Sequence, residues 1–451
     1  MDRPQVKQNI TITIDNIGVN GEGIGHWNGY TLFIDNALPG EVVKAKVTQC
    51  KKTYGRADLV EIITPSPDRI EPPCPLADRC GGCQLMHLAY SEQLAFKRQL
   101  IIDSLQRIGH ISDIEVPECI ASPQQLSYRN KIQLPIKTGK NGLTIGLYVR
   151  GTHNLVETDE CFIHCEIGNR VLKKVQAIIT GLHSNARNKS HLRHLMIKTA
   201  VNTEQVLVVI VTNGSNSKAM SNIANDIMKS CPEVKGVVQN INTYRDNIIL
   251  GDRYDVLEGS GYISEKLCGM TFKLSPSSFF QINTAQAEQI YSKTLEFAEL
   301  TGEETILDAY CGIGTLSLLM AKHAKKVIAV ENVQEATKDA KENAKINEIT
   351  NVDFTCSDAE TFINIIDGDV DVAIVNPPRK GCVPSFLEGL GRLHPERIVY
   401  ISCNPATLAR DLAILARYDY NIEAIQPFDM FPQTAHVECI VKLTAIHRED
   451  D

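Results

Sequence analysis

Residues 307–319 read LDAYCGIGTLSLL, and this stretch decides the fold. An apolar run ends at Ala309-Tyr310, Gly312 and Gly314 permit a tight turn, and helix-forming residues follow. Strand, glycine turn and helix in that order open a doubly wound α/β domain. The glycines let a ligand approach the backbone, and the helix N-terminus favours polar or anionic groups. From about residue 275 the pattern repeats: TILDAY, LSLLMAKHA, KVIAVE, EATKDAKENAKINE, VDFTCS, DVAIVN and RIVYIS alternate strand with helix. Such alternation predicts parallel strands joined by crossover helices, a Rossmann-like C-terminal domain.

Working outward, a chain of 451 residues exceeds one usual domain, and three fit its length. The expected division is 1–64, 65–274 and 275–451. NITITIDNIGV, GYTLFIDNA, EVVKAKVTQC and GRADLVEII, separated by Gly, Asn and Pro, predict a small β-barrel, and TPSPDRIEPPCP a linker. Lys44, Lys46, Lys51, Lys52 and Arg56 surround Tyr54 in a basic stretch that reads equally as a solvated strand face or a nucleic-acid contact.

The middle region is expected to be α+β. Leu94, Leu100, Ile101 and Leu105 have helical spacing, Asn141-Gly142 marks a hairpin, and LRHLMIKTAVNTEQVLVVIVTN reads as a second strand pair. Arg129, Lys131, Lys137, Lys140, Arg187, Lys189, Arg193 and Lys198 form a basic set that one face could gather.

The net charge of −8 argues against polyanion binding by the whole surface but leaves room for a local basic groove. No secretory pattern opens the chain, and apolar runs such as QVLVVIVT are strand-sized, so it reads as cytosolic. Its 14 cysteines are expected to be reduced, and any cluster points to a metal or to catalysis.

About twenty residues after the glycine turn, VIAVE ends in Glu331, placed to accept hydrogen bonds from ribose hydroxyls. Ser317 stands where a dinucleotide fingerprint has its third glycine, which weakens NAD as the cofactor. S-adenosylmethionine needs no pyrophosphate cradle and fits better. Asn376-Pro377-Pro378 follows the next buried strand at the carboxyl edge, and two prolines make a stiff turn that fixes Asn376.

An Asn-Pro-Pro-aromatic turn marks enzymes that methylate exocyclic amines, but the fourth residue here is Arg379. Amine methylation needs no cysteine. Carbon 5 of uracil is a poor nucleophile: it needs a thiolate added at carbon 6, and then a base to remove the carbon 5 proton. YISCNPATLARD, residues 400–411, puts Cys403 at the end of a strand on the same sheet edge. A cysteine there is either core packing or a nucleophile. DMFPQTAHVECIVKL carries Glu438 in an apolar strand, with His436 two residues earlier on the same face, and such a carboxylate is unusual unless paired or functional.

SCNPATLARD and DMFPQTAHVE resemble the two signature segments of the RNA uracil-5 methyltransferase family, which makes 5-methyluridine with S-adenosylmethionine. The resemblance implies Cys403 as nucleophile and Glu438 as base. It also implies cofactor positions at Gln281, Tyr310, Thr315, Glu331, Asp358 and Asn376, the last standing where the family usually has aspartate. Phe279 is a candidate for stacking on a base taken out of its helix.

In CPLADRCGGCQLMH, Cys74, Cys80 and Cys83 suit zinc or an iron–sulfur cluster, with Cys161 or Cys165 as a fourth ligand. The resemblance favours a [4Fe–4S] cluster completed by Cys161. It also makes the barrel a TRAM domain, an RNA-binding module. Members with both features typically modify 23S ribosomal RNA, so the implied partner is that RNA or its precursor, met by a monomer. Two rivals stand: methylation of an exocyclic purine amine, and an RNA-binding module without chemistry.

Overall fold

The computed structural model describes residues 3–139, 142–183, 191–215, 217–244, 247–366 and 368–446. Strands β1 (Asn9–Ile17), β2 (Gly23–Trp27), β3 (Tyr30–Ile34), β4 (Val42–Cys50) and β5 (Tyr54–Thr64) close into a barrel in the order β1-β2-β3-β5-β4. Alternation along β1 sends Ile10, Ile12 and Ile14 inward, where they meet Leu32, Val43 and Ala45. The sequence reading had no counterpart for β2. Its GIGHW lacks a strand-like run because the backbones close tightly there: a Cβ on Gly25 would sit 2.4 Å from the Thr13 carbonyl oxygen.

The basic stretch of the barrel is not a uniform face. Lys44 and Lys46 stand opposite Glu61 and Asp58 across the β4–β5 ladder, so their charge is locally balanced. Lys51 instead lies over the Tyr54 ring and Arg56 over Phe33.

The middle of the chain contributes α1 (Tyr90–Ser104), β6 (Lys131–Gly139), β7 (Gly142–Tyr148), β8 (Leu155–Glu157) and α2 (Glu166–His183). It continues with β9 (Leu192–Ala200), β10 (Gln205–Thr212), α3 (Ser217–Ser230), β11 (Val234–Ile241) and β12 (Arg253–Gly259), then the hairpin β13 (Ile263–Leu267) and β14 (Met270–Leu274). Seven of these strands form one sheet in the order β12-β11-β10-β9-β6-β7-β8, with α2 and α3 packed on it through Val171, Val175, Met220 and Ile223. The β6–β7 hairpin pairs Gly139 with Gly142, while Lys140 and Asn141 lie outside the described residues, as do Arg187 and Lys189.

Among the described residues of the basic set, three cations have separate partners. Lys198 is buried, donating to the carbonyls of Ser275 and Ser278, Lys137 donates to the His153 carbonyl, and Arg193 to that of Asn242.

The C-terminal part runs α4 (Thr284–Ala298), β15 (Thr305–Ala309), α5 (Thr315–Ala321), β16 (Lys326–Glu331), α6 (Gln334–Ile346) and β17 (Val352–Cys356). It ends with α7 (Ala359–Phe362), β18 (Val372–Val375), α8 (Pro384–Leu393), β19 (Arg397–Ser402), α9 (Pro405–Leu415), β20 (Tyr420–Phe428) and β21 (Glu438–Ala445). Its sheet has the order β17-β16-β15-β18-β19-β21-β20; β15 to β19 are parallel, and β21 runs antiparallel to β19 and β20. Successive residues of β15 enter different layers: Ile306 packs with α4 and α5, and Leu307 with α8 and α9. Among the described residues no helix is long and apolar enough to cross a membrane.

Helix α1 joins this second layer through Ile101 and Leu105, although the whole middle sheet separates it from β15 in sequence. Its fully buried stripe is Gln93, Lys97 and Ile101, continued by Leu105 just past its end, with Leu94 and Leu100 only half-buried. The polar residues enter the core because partners wait there. Lys97 Nζ meets Asp429 Oδ1 at 2.5 Å, both side chains fully buried, and the Gln93 amide bonds Gln433. Removing one partner of such a pair strands the other charge. Lys97→Met should therefore cost about 3–5 kcal/mol of stability, and Lys97→Met/Asp429→Leu should recover most of it, as urea midpoints of the two variants will read.

Candidate active site

The carboxyl edge of the C-terminal sheet sets out the site as a row. Glu331 ends β16, and Tyr310, Asn376 and Cys403 follow β15, β18 and β19 by one residue. The parallel registers put Ala309 beside Val330 and Val375, and Val375 beside Tyr400, so these strand ends are level. β21 adds Glu438 on the far side of β19. The row crosses four strand spacings, about 19 Å, enough for a nucleoside-bearing cofactor and a base side by side. All five residues, with Gln281 and Thr315, line one cavity of about 770 Å³. Asp358 does not: it is exposed at the start of α7, its carboxylate takes the Asn332 amide at 3.2 Å, and its neighbours Ser357 and Ala359 reach the cavity instead.

At one end of the cavity the chain reverses sharply. Tyr310, Gly312 and Gly314 all have left-handed φ, at 67°, 57° and 80°. For Tyr310 this is a strained conformation, held by edge-to-face packing of its ring on Phe386. A Cβ at Gly314 would press the Phe354 ring at 3.0 Å. The Glu331 carboxylate accepts the amides of Gly312 at 3.0 Å and Val333 at 2.8 Å, which fixes both it and the turn. A carboxylate offers about four lone-pair sites, so capacity remains for hydroxyl donors. Below the turn, Ser317 donates to the buried Asp308, tying helix to strand where a dinucleotide site would have glycine. Burial pushes the Asp308 carboxyl up to about 7 against that hydrogen bond.

At the other end, the antiparallel register runs to Ser402 beside Cys439, and the next residue on each strand, Cys403 and Glu438, lines the cavity. The turn Asn376–Arg379 is clamped to the cysteine turn: Asn404 Nδ2 donates to the Arg379 carbonyl at 2.9 Å, and the Asn404 side chain caps α9. Burial, then the charge of Glu438, raises the Cys403 thiol to about 11, with the Arg379 guanidinium opposing. Burial likewise raises the Glu438 carboxyl to about 8, again against Arg379. His436 lines the same cavity and packs edge-on to Phe431.

Phe279 stands on the rim, 63% exposed, on a loop that Lys198 holds from below and Asp339 through the Ser275 and Ser278 hydroxyls. Arg129, Lys131 and Gln84 also reach the cavity. Arg129 and Lys131 belong to the basic set noted in the sequence, whereas Gln84 and Arg379 had no role assigned there. Of those two, only Arg379 carried a signal, a cation one residue beyond a rigid turn.

A second cavity, of about 300 Å³, adjoins the first and shares Gly82, Arg129, Lys131 and Gln133 with it. Cys74, Cys80, Cys83 and Cys161 line it, and Cys165 is buried outside its walls. Burial, then the neighbouring thiols, pushes Cys83 far up, and burial chiefly raises Cys80 and Cys161. Thiolates gathered in so apolar a pocket need a cationic centre to offset their repulsion, so the donor set fits a cluster bound by sulfur. Among the described residues no group of three His, Cys, Asp or Glu is arranged around a single metal ion.

The family model described as tRNA (Uracil-5-)-methyltransferase matches residues 89–446. The chain belongs to this family. A TRAM domain model matches residues 3–60, the barrel. An uncharacterized RNA methyltransferase of Clostridium tetani is 42% identical, over 97% of each chain, and one of Halalkalibacterium halodurans 41% identical, over 96% of each. Among solved structures, the tRNA (uracil-54, C5)-methyltransferase of Pyrococcus abyssi, in complex with S-adenosyl-L-homocysteine, is 28% identical with a TM-score of 0.76. The match covers 96% of this chain and all of that one.

A family member with Glu438 so buried carries a pH-dependent stability. The carboxyl is protonated more readily folded, near 8, than at its ordinary 4.5. Its contribution is therefore complete below 4.5 and is lost as pH rises through 8. Glu438→Gln has no such loss. The variant should gain melting temperature relative to wild type between about pH 5 and about pH 8.5, and melts at those two values check the sign.

Proposed function

We propose that this chain methylates carbon 5 of a uridine in RNA with S-adenosylmethionine as donor. Cys403 is the nucleophile and Glu438 the base. The observation that carries this reading is that Cys403 and the buried Glu438, at the ends of neighbouring strands, line one cavity with Arg379. Amine methylation would need neither group.

Glu331, Tyr310, Gln281 and Thr315 would hold the cofactor along the glycine turn, and Asn376 lies between them and Cys403. S-adenosylmethionine, when bound, supplies an electrophilic methyl on a sulfonium. The chain's residues do the rest. Cys403 loses its proton to solvent and its sulfur bonds carbon 6, sending the electron pair through carbon 5 to the uracil oxygen as an enolate. Arg379, drawn to the thiolate, favours its formation. Carbon 5 then takes the methyl. Glu438, as carboxylate, removes the carbon 5 proton, the carbon–sulfur bond breaks, and Cys403 leaves as thiolate. A carboxyl with proton affinity near neutrality suits that step. Phe279 offers a face on which a flipped base can stack.

For the RNA, the presence of both a TRAM domain and the cysteine pocket supports 23S ribosomal RNA. The Pyrococcus relative, by contrast, acts on uracil-54 of tRNA. Purified protein should be given tritiated-methyl donor and either unmodified 23S rRNA or unmodified tRNA, and the nucleosides separated. Label in 5-methyluridine from the ribosomal RNA is expected. Label from tRNA alone would reassign the substrate, and label in a methylated purine would remove Cys403 from the chemistry. Cys403→Ala should abolish turnover. Glu438→Gln should accumulate a covalent protein–RNA adduct, visible on a denaturing gel.

The cysteine pocket is assigned to a [4Fe–4S] cluster on Cys74, Cys80, Cys83 and Cys161. Methyl transfer needs no electron, so no step passes through it. Protein purified without oxygen should contain about four iron and four sulfide. Cys161→Ser should lose them and Cys165→Ser keep them. Stoichiometric zinc instead would overturn the assignment.

A further inference from the structure

Helix α1 buries two polar side chains one turn apart, Gln93 and Lys97, and both are spent on one loop. That loop, residues 429–437, joins β20 to β21 and delivers Phe431, Thr434 and His436 to the cavity immediately before Glu438. Lys97 Nζ bonds Asp429 Oδ1 at 2.5 Å and the Phe431 carbonyl at 3.1 Å. Gln93 Nε2 donates to Gln433 Oε1 at 3.0 Å, and the Gln433 amide returns a bond to Gln93 Oε1 at 3.0 Å. The Gln93 amide also bonds the Leu85 and Leu88 carbonyls, while the Leu85 amide donates to the Gln433 carbonyl at 2.9 Å. Tyr128 adds a hydroxyl bond to the Pro432 carbonyl.

The nucleophile rests on a different support. Cys403 follows β19 and is braced by the bonds of Asn404 and Thr407 to the Arg379 carbonyl, none of which involves α1. The hydrogen bonds that brace the two turns are therefore distinct, although Ile101 of α1 also packs in one layer with Leu408 and Leu412 of α9. Glu438 is 4% exposed and opens its strand immediately after the loop. Displacing the loop would move the residues that lead directly into the base, whereas Cys403 follows the end of β19.

We propose that Gln93 and Lys97 are positioning residues for the loop 429–437, and that through it they govern the second half of the reaction, proton removal at carbon 5 and release of the methylated RNA. This rests on the roles proposed for Cys403 and Glu438. A purely structural pair would weaken both halves alike, in proportion to folded protein.

The test is a single-turnover comparison of wild type, Gln93→Leu, Lys97→Met, Lys97→Met/Asp429→Leu and Glu438→Gln, using labelled methyl donor and the RNA that wild type methylates. Label entering RNA reports addition and transfer, and decay of the denaturant-resistant adduct reports release. The double variant removes the tether without leaving a stranded charge, so it keeps the test open if Lys97→Met fails to fold. Release is expected to slow about 10–100-fold in the tether variants, as for a misplaced reacting group, with transfer nearly unchanged. Adduct that persists with Glu438→Gln but decays at the wild-type rate in the folded tether variants would overturn this inference alone. So would equal loss of transfer and release. No adduct with Glu438→Gln would instead sink the underlying reading of the base.

Discussion

The site depends on one antiparallel register. Six strands of the C-terminal sheet, β15 to β20, run in one direction, and a strand so directed can offer only its carboxyl end to the ligand edge. β21 reverses direction beside β19, so it brings its first residue to that edge instead of its last. Cys403 leaves one strand where Glu438 enters the other. Shifting the pairing by one residue would turn Glu438 to the opposite face of the sheet and separate it from Cys403. β20 holds the register from the outside by pairing Phe428 with Glu438, and buried Ile440, Val441 and Leu443 hold it from the core.

That geometry costs the two groups their charge. A thiol raised to about 11 and a carboxyl raised to about 8 are both mainly neutral at pH 7, so the resting site avoids two neighbouring anions in a buried place. Arg379 is exposed, hence cheap to keep ionised, and it favours the anionic form of each group. The cation deeper in the fold, Lys97, is kept for Asp429 and the loop wall. The charges therefore divide by depth: an exposed guanidinium acts on Cys403 and Glu438, and a buried ammonium holds the loop beside them.

Much of this was legible in the sequence because the cavity is built from strand ends. Each strand from TILDAY to RIVYIS appears close to where it was read, and the residue closing it is the one that reaches the ligand edge: Tyr310, Glu331, Asn376 and Cys403. Asp358 departs from the pattern because it sits two residues past β17, where the chain has already turned into α7. What could not be read depends on partners remote in sequence. Lys97 and Asp429 are 332 positions apart, so a helix carrying lysine on its buried stripe looked amphipathic with a different face inward. The acidic partners of Lys44 and Lys46 lie on the next strand, in a register with three irregularities that spacing does not reveal.

Those cross-strand pairs bear on how a chain of net charge −8 can engage RNA. With Lys44 and Lys46 set against Glu61 and Asp58, the barrel presents less free positive charge than its sequence suggests. Lys51 and Arg56 remain over aromatic rings, and Arg56 is shared with Glu22 at 3.1 Å. Inside the cavity Arg129, Lys131 and Arg379 add cations beside the exposed Phe279. Each phosphate neutralised on a single strand steepens the salt dependence of binding by about 0.7, so the slope for this chain would count the cations that meet the RNA backbone. On the role proposed for Cys403, a uridine must be unstacked before it can reach the thiol, and the exposed Phe279 ring on the cavity rim offers it a face.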